Sequence, residues 1–225
     1  MYTQLFRKTG IRRLTIYLTT HTCSGAQPQR LRMTSAASDQ QPQWQRLVVH
    51  LQLEPHPEGG FYRRTYESEL RLSTDLEAAG DRFRVRPRAC STAIYFLLPR
   101  GSVSHLHCIP SDELWHFYLG GPLTIVEIDP VALTLRETVL GADLFSSAGS
   151  ASTSGIHETG MTLQHCVRAG TIFGAYPCAN TEFALVGCTV APGFEFGDFE
   201  MCSRSRLLAT LPAAMHDTVR RRTAP

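Results

Sequence analysis

The densest chemistry in the chain lies between Gly101 and Gly121, in the stretch GSVSHLHCIPSDELWHFYLGG. It carries His105, His107, Asp112, Glu113 and His116. Residues i and i+2 of a strand share a face, so His105 and His107 are expected to point the same way. A turn at Pro110-Ser111 would return the next strand beside them and bring Glu113 to His107. His105, His107 and Glu113 are then candidate ligands for Zn, Mn, Fe or Ni, because two imidazoles and a carboxylate suit borderline metals. Without a metal, Glu113 and His107 are the candidate catalytic pair, able to work as general acid and base. His116 lies an odd number of residues from Glu113. On a regular strand it faces the other way, where it would pack or hydrogen-bond. Trp115 and Phe117 share Glu113's face, where they would line a cavity or fill the core.

Other residues could hold a ligand. Arg63, Arg64 and Arg100 are able to grip an anion. Tyr62, Tyr95, Trp115 and Phe117 offer rings for stacking, or for core packing. Glu58, Tyr62, Arg63, Tyr95, Trp115 and His116 are taken together as the candidate substrate contacts.

The elements that must position these groups are short strands separated by turn residues. Ser91 to Leu98 is rich in branched and aromatic residues and ends at Pro99. Trp115 to Leu119, Leu123 to Ile128, Leu133 to Leu140 and Thr181 to Val190 follow the same pattern, each closed by Gly or Pro. Such a series, without long helical periods between, indicates an all-β sandwich or barrel. Trp44, Leu47, Val48 and Leu51 fall on helical spacing, and Pro55 and Pro57 stop that helix. A second short helix is expected near Arg204 to Leu211. Residues 146–155 read as a mobile loop, and the tail from 213, with Arg220-Arg221-Arg222, as solvated.

A chain of 225 residues with net charge +2 suits one domain, and no clustered basic face points to nucleic acid. No run of 18 apolar residues predicts a membrane span. The seven cysteines are odd in number and form no CxxC pair, so they read as reduced thiols of a cytoplasmic protein. Residues 1–42 are basic, rich in hydroxyls and free of acids until Asp39. That composition fits a disordered extension or a mitochondrial transit peptide. The domain is placed at 43–212.

Four blocks resemble the cupin-5 family of the RmlC-like cupins, a domain of unknown function. They are Leu53 to Gly60 (LEPHPEGG), Ser91 to Leu98 (STAIYFLL), Ser111 to Tyr118 (SDELWHFY) with Gly121-Pro122-Leu123, and Leu185 to Glu200 (LVGCTVAPGFEFGDFE). The resemblance implies a double-stranded β-helix, or jelly-roll barrel, with short flanking helices and a homodimeric assembly. It also implies a mouth pocket for a small polar molecule. Departures stand beside it. Cys108 follows His107 where the family has Arg, and Arg64 replaces a usual Glu. The second-motif histidine of metal-binding cupins is missing, and His165 substitutes only if its strand turns it inward.

Three function classes follow. One is an enzyme of the isomerase or epimerase type acting on a sugar or sugar phosphate, like the phosphoglucose isomerases of this fold. The second is a non-catalytic binder of a nucleotide-like or sugar-like ligand. The third is a metal-dependent oxygenase.

Overall fold

The computed structural model describes residues 41–72, 83–84, 87–144 and 160–224. The expected extension up to residue 40 and the expected loop at 146–155 lie outside the described residues. The first element among the described residues is helix α1 (Gln43–His50). Strands β1 (Glu54–Pro55), β2 (Phe61–Glu67), β3 (Arg71–Leu72), β4 (Arg88–Ala89) and β5 (Thr92–Pro99) follow. Next come β6 (Ser104–Cys108), β7 (Asp112–Gly120), β8 (Leu123–Asp129), β9 (Thr134–Leu140), β10 (Gln164–Val167), β11 (Ile172–Pro177), β12 (Phe183–Ala191) and β13 (Glu200–Met201). Helices α2 (Arg204–Thr210) and α3 (His216–Arg222) close the chain.

The long strands form two antiparallel sheets. The first runs β1-β2-β5-β12-β7-β10 and the second β13-β6-β11-β8-β9; β3 and β4 form a separate pair. Their inner faces share one core, in which Phe96, Trp115 and Val186 of the first sheet meet Leu123, Ile125 and Phe173 of the second. Period-2 alternation produces this split. In β5, Phe96 and Leu98 enter that core, while Leu97 and Tyr95 go to the outer face. The expected double-stranded β-helix is the fold observed.

Each outer face has a helical cover. Trp44, Leu47, Val48 and Leu51 of the α1 segment pack on Leu97, Phe183 and Leu185, as their spacing predicts. The other cover corrects the expectation of a solvated tail. Leu207, Leu211, Met215 and Val219 bury themselves against Leu106 and Ile128 of the second sheet. Arg222 lays its guanidinium 3.3 Å from the centre of the Tyr176 ring. Among the described residues no helix is long and apolar enough to cross a membrane.

Candidate functional site

The site begins with a fault in strand pairing. His107 of β6 lies opposite Phe173 of β11, and Ser104 lies opposite Ala175. Two residues, His105 and Leu106, therefore stand opposite Gly174 alone, which makes a β-bulge. A Cβ at Gly174 would come within 2.5 Å of the Ser104 carbonyl oxygen. Glycine lets the two backbones close over the bulge.

The bulge breaks the alternation on which the His-x-His reading rested. Ser104 and His107, three residues apart, both reach Glu58 inside the barrel. Leu106 packs outward beneath α2 and α3. His105 instead places Nδ1 2.8 Å from the Glu58 carbonyl oxygen. It does not line the cavity. The turn at Pro110-Ser111 also fails to return β7 beside β6. The two strands lie in different sheets, so Glu113 faces the cavity from across the barrel.

Glu58 sits on the turn from β1 into β2. Gly59 and Gly60 have φ of 110° and 71°, and a Cβ on Gly59 would lie 2.2 Å from the Val103 carbonyl oxygen. Only glycine accepts both demands. The turn seats the Glu58 carboxylate inside the barrel, where Ser104 Oγ donates to Oε1 at 2.8 Å. His56 Nδ1 and His107 Nε2 lie 3.3 and 3.4 Å from Oε2. His107 Nδ1 is 2.7 Å from the His105 carbonyl oxygen. A carbonyl only accepts, so Nδ1 carries a proton and Nε2 is left to face the carboxylate.

The two buried carboxyls are pushed in opposite directions. Burial raises the pKa of Glu58, but the charge of His107 and the contacts with His56 and Ser104 outweigh it, so Glu58 lies below the ordinary carboxylate value. Burial pushes Glu113 up to about 8, with the negative charge of Glu58 adding to the rise and the Cys188 thiol opposing it. Cys188 lies opposite Trp115 in the β12–β7 register, so it is a diagonal neighbour of Glu113 on one face. Burial, then Glu113, lifts the Cys188 thiol well above its usual value.

These groups line a cavity that opens to solvent, the empty space there amounting to about 510 Å³ with the solvent at the mouth included. His56, Glu58, His107, Glu113, Arg64 and Cys188 supply its chemistry. Tyr62, Ile94, Phe96, Val190 and Phe194 supply its apolar wall, with Thr92 between. Arg64 is already paired, donating to Glu67 at 2.7 Å and to the Phe194 carbonyl oxygen at 3.1 Å.

The segment after β12 forms one side of the mouth and is tied along its length. Ser111 Oγ donates to the Pro192 carbonyl oxygen, Gly193 N to that of Ala89, and Phe194 N to Thr92 Oγ1. The fully buried Arg88 pairs with Asp198, whose other oxygen accepts from Arg84 N. This holds Phe194, Phe196 and Phe199 around His56, at ring separations of 5.7 to 6.5 Å.

Of the predicted contacts, Glu58 and Tyr62 reach the cavity with Glu113 and His107. Arg63 points outward and donates to Gln52. Tyr95 lies on the outer face against Tyr118. His116 is also outside, between Thr189 and Gln164. Trp115 faces inward but is buried among Phe96 and Phe173, below the cavity. Arg100 is spent on the carbonyls of Thr181 and Asn180. His56, Cys188 and Phe194 were missed. The spacing of His56 to Glu58 across a Pro was a signal for the first; nothing in the sequence marked the other two.

His165 does turn inward, but it meets Glu127 at 2.6 Å instead of the cavity. The implied metal does not fit. His105 is directed elsewhere, and among the described residues no group of three or more His, Cys, Asp or Glu is placed to hold an ion.

Comparison with known proteins agrees with this architecture. No curated protein matches the chain. A structural-genomics protein from Shewanella oneidensis is 36% identical, with a TM-score of 0.64 over 80% of this chain and 96% of its own. A hypothetical protein from Leishmania major is 30% identical, with a TM-score of 0.64 over 80% of this chain and 98% of its own. The profile of the cupin-5 family, described as Cupin superfamily (DUF985), matches residues 45–202. The chain therefore belongs to the cupin-5 (DUF985) family of the cupin superfamily and is a cupin-fold protein.

Proposed function

We propose that the protein is a proton-transfer enzyme of the isomerase or epimerase type, acting on a sugar or sugar phosphate in the barrel mouth. One observation carries the reading: a single cavity holds a carboxylate kept ionised, Glu58, and a carboxyl kept protonated near neutral pH, Glu113. Carboxyls pushed apart in this way divide acid and base roles.

Glu58 takes the proton from the carbon beside the sugar carbonyl, while Glu113 donates its proton to the carbonyl oxygen. The C–H electron pair becomes the C=C bond of an enediol. In an isomerisation the proton returns to the neighbouring carbon while the Glu113 carboxylate takes the proton of the adjacent hydroxyl, which becomes the new carbonyl; in an epimerisation the proton returns to the other face of the same carbon while Glu113 takes its own proton back from the first oxygen. His107 and His56 oppose the build-up of negative charge near Glu58 before the transfer.

The test is exchange of carbon-bound hydrogen in heavy water, with sugars and sugar phosphates as probes. Exchange should occur with the wild type and be lost in Glu113→Gln, whose thermal midpoint should be no lower than the wild type's. Undiminished exchange in that variant removes the mechanism. The second reading, a non-catalytic binder, draws on the apolar wall of Tyr62, Phe96 and Phe194. It predicts binding without exchange in either protein.

A further inference from the structure

The charges around the cavity decide which kind of sugar it can take. Each element that faces it contributes differently. From β2 comes one guanidinium, Arg64, already engaged by Glu67, whose other carboxylate oxygen holds Arg71 outside the cavity lining. From the turn before β2 come Glu58 and His56, and from β6 comes His107; both imidazoles face the Glu58 carboxylate. From β7 comes Glu113, while β5 and β12 bring only Thr92, Ile94, Phe96, Cys188 and Val190.

Thus no unpaired cation among the described residues lines the cavity, and a buried acidic group waits at its floor. A phosphate ester would bring about two negative charges at neutral pH. Its tight binding requires Arg or Lys forks or a row of backbone N–H groups. Here it would have to displace Glu67 from Arg64 and enter beside Glu58. An uncharged sugar meets no such conflict. Its hydroxyls can donate to the Glu58 carboxylate, and its C–H face can lie on the wall formed by Tyr62, Phe96 and Phe194.

We propose that the cavity selects an uncharged, unphosphorylated sugar, and that the Glu67–Arg64 pair excludes the corresponding phosphate ester. The proposal rests on the proton-transfer reading for its choice of a sugar, but its charge argument stands on the lining residues.

The experiment is calorimetric titration of the full chain with D-glucose, D-mannose and D-ribose, each beside its terminal phosphate ester. At least one neutral sugar should bind, and its phosphate should bind at least about tenfold more weakly, a difference of about 1.4 kcal/mol. Glu67→Gln, at a half-buried position away from the acid–base groups, frees the Arg64 guanidinium and should narrow that gap. A phosphate that binds more tightly than its parent sugar overturns the proposal. So does failure of all three neutral sugars to bind, or a gap unchanged in Glu67→Gln. Hydrogen exchange separates the two ideas. Selective binding of a neutral sugar without exchange sinks the enzyme reading alone. Exchange on phosphate esters but not on their parents sinks only the charge selection.

Discussion

Among the described residues the barrel holds two histidine–glutamate clusters, one on Glu58 and one on Glu127, and they are built differently. In the second sheet, Phe173 lies between His107 on one side and Glu127 on the other, so both pairs belong to one row of inward side chains. In one cluster His165 meets Glu127 at 2.6 Å, and neither lines the cavity. In the other Glu58 stands 3.3 and 3.4 Å from two imidazoles, beside open volume and a second carboxyl. The same residue types make a closed clasp in one place and an arrangement open to the cavity in the other. What separates them is unfilled space and a neighbouring acid, not residue type.

This contrast can be broken in graded ways. The largest effect is expected from Glu113→Gln, which should lower turnover by roughly 10²- to 10⁴-fold by removing the proton donor; steady-state rates with the best substrate of the exchange screen will show it. At the clasp, His165→Ala should cost about 1–3 kcal/mol of stability, because it takes the hydrogen-bond partner from a largely buried carboxylate. Urea midpoints measure that cost, and calorimetry should find ligand affinity unchanged. A clasp variant that loses affinity instead would erase the distinction between the clusters.

The pH dependence sharpens the comparison. Folded Glu113 keeps its proton up to about pH 8, whereas in the unfolded chain it ionises near the ordinary carboxylate value of 4.5. Between those limits the unfolded state binds fewer protons, so this group lowers stability as pH rises, by about 1.4 kcal/mol per pH unit. Glu113→Gln should remove that slope in urea titrations taken across the range. Glu58 acts with the opposite sign. Its depressed pKa adds stability above the ordinary carboxylate value, lost as pH falls through the folded value. The proposed proton transfer needs Glu58 ionised and Glu113 protonated, so it predicts a kcat/KM that falls above about pH 8. The smallest effect is expected outside the barrel. His116→Ala loses contacts to Thr189 and Gln164, worth about 1 kcal/mol, and should leave binding untouched.

The fold was readable because alternation and turn residues act locally. Thr92–Pro99 and Leu123–Asp129 fall within a residue or so of where their composition puts them. The C-terminal cover was half readable: the helix carrying Leu207 was expected, but Met215 and Val219, beyond the break at Pro212, were masked by the arginines after them. The site was only partly readable. Glu113 and His107 stand out as residue types, but their partnership runs between facing sheets. The β6 bulge is set by the close approach at Gly174, far along the chain, and strand period alone assigns His105 the wrong side. Glu58 and His56 become a site only when the turn at Gly59-Gly60 folds them inward.

The tied segment after β12 has a kinetic consequence. With Pro192, Gly193, Phe194 and Asp198 each anchored by hydrogen bonds or an ion pair, the mouth is already shaped before a ligand arrives. Little conformational entropy is lost at this wall on association, and no closing motion need precede chemistry. Association should then be a single-exponential process whose rate rises linearly with ligand concentration, and selectivity among sugars should reside in how fast they leave.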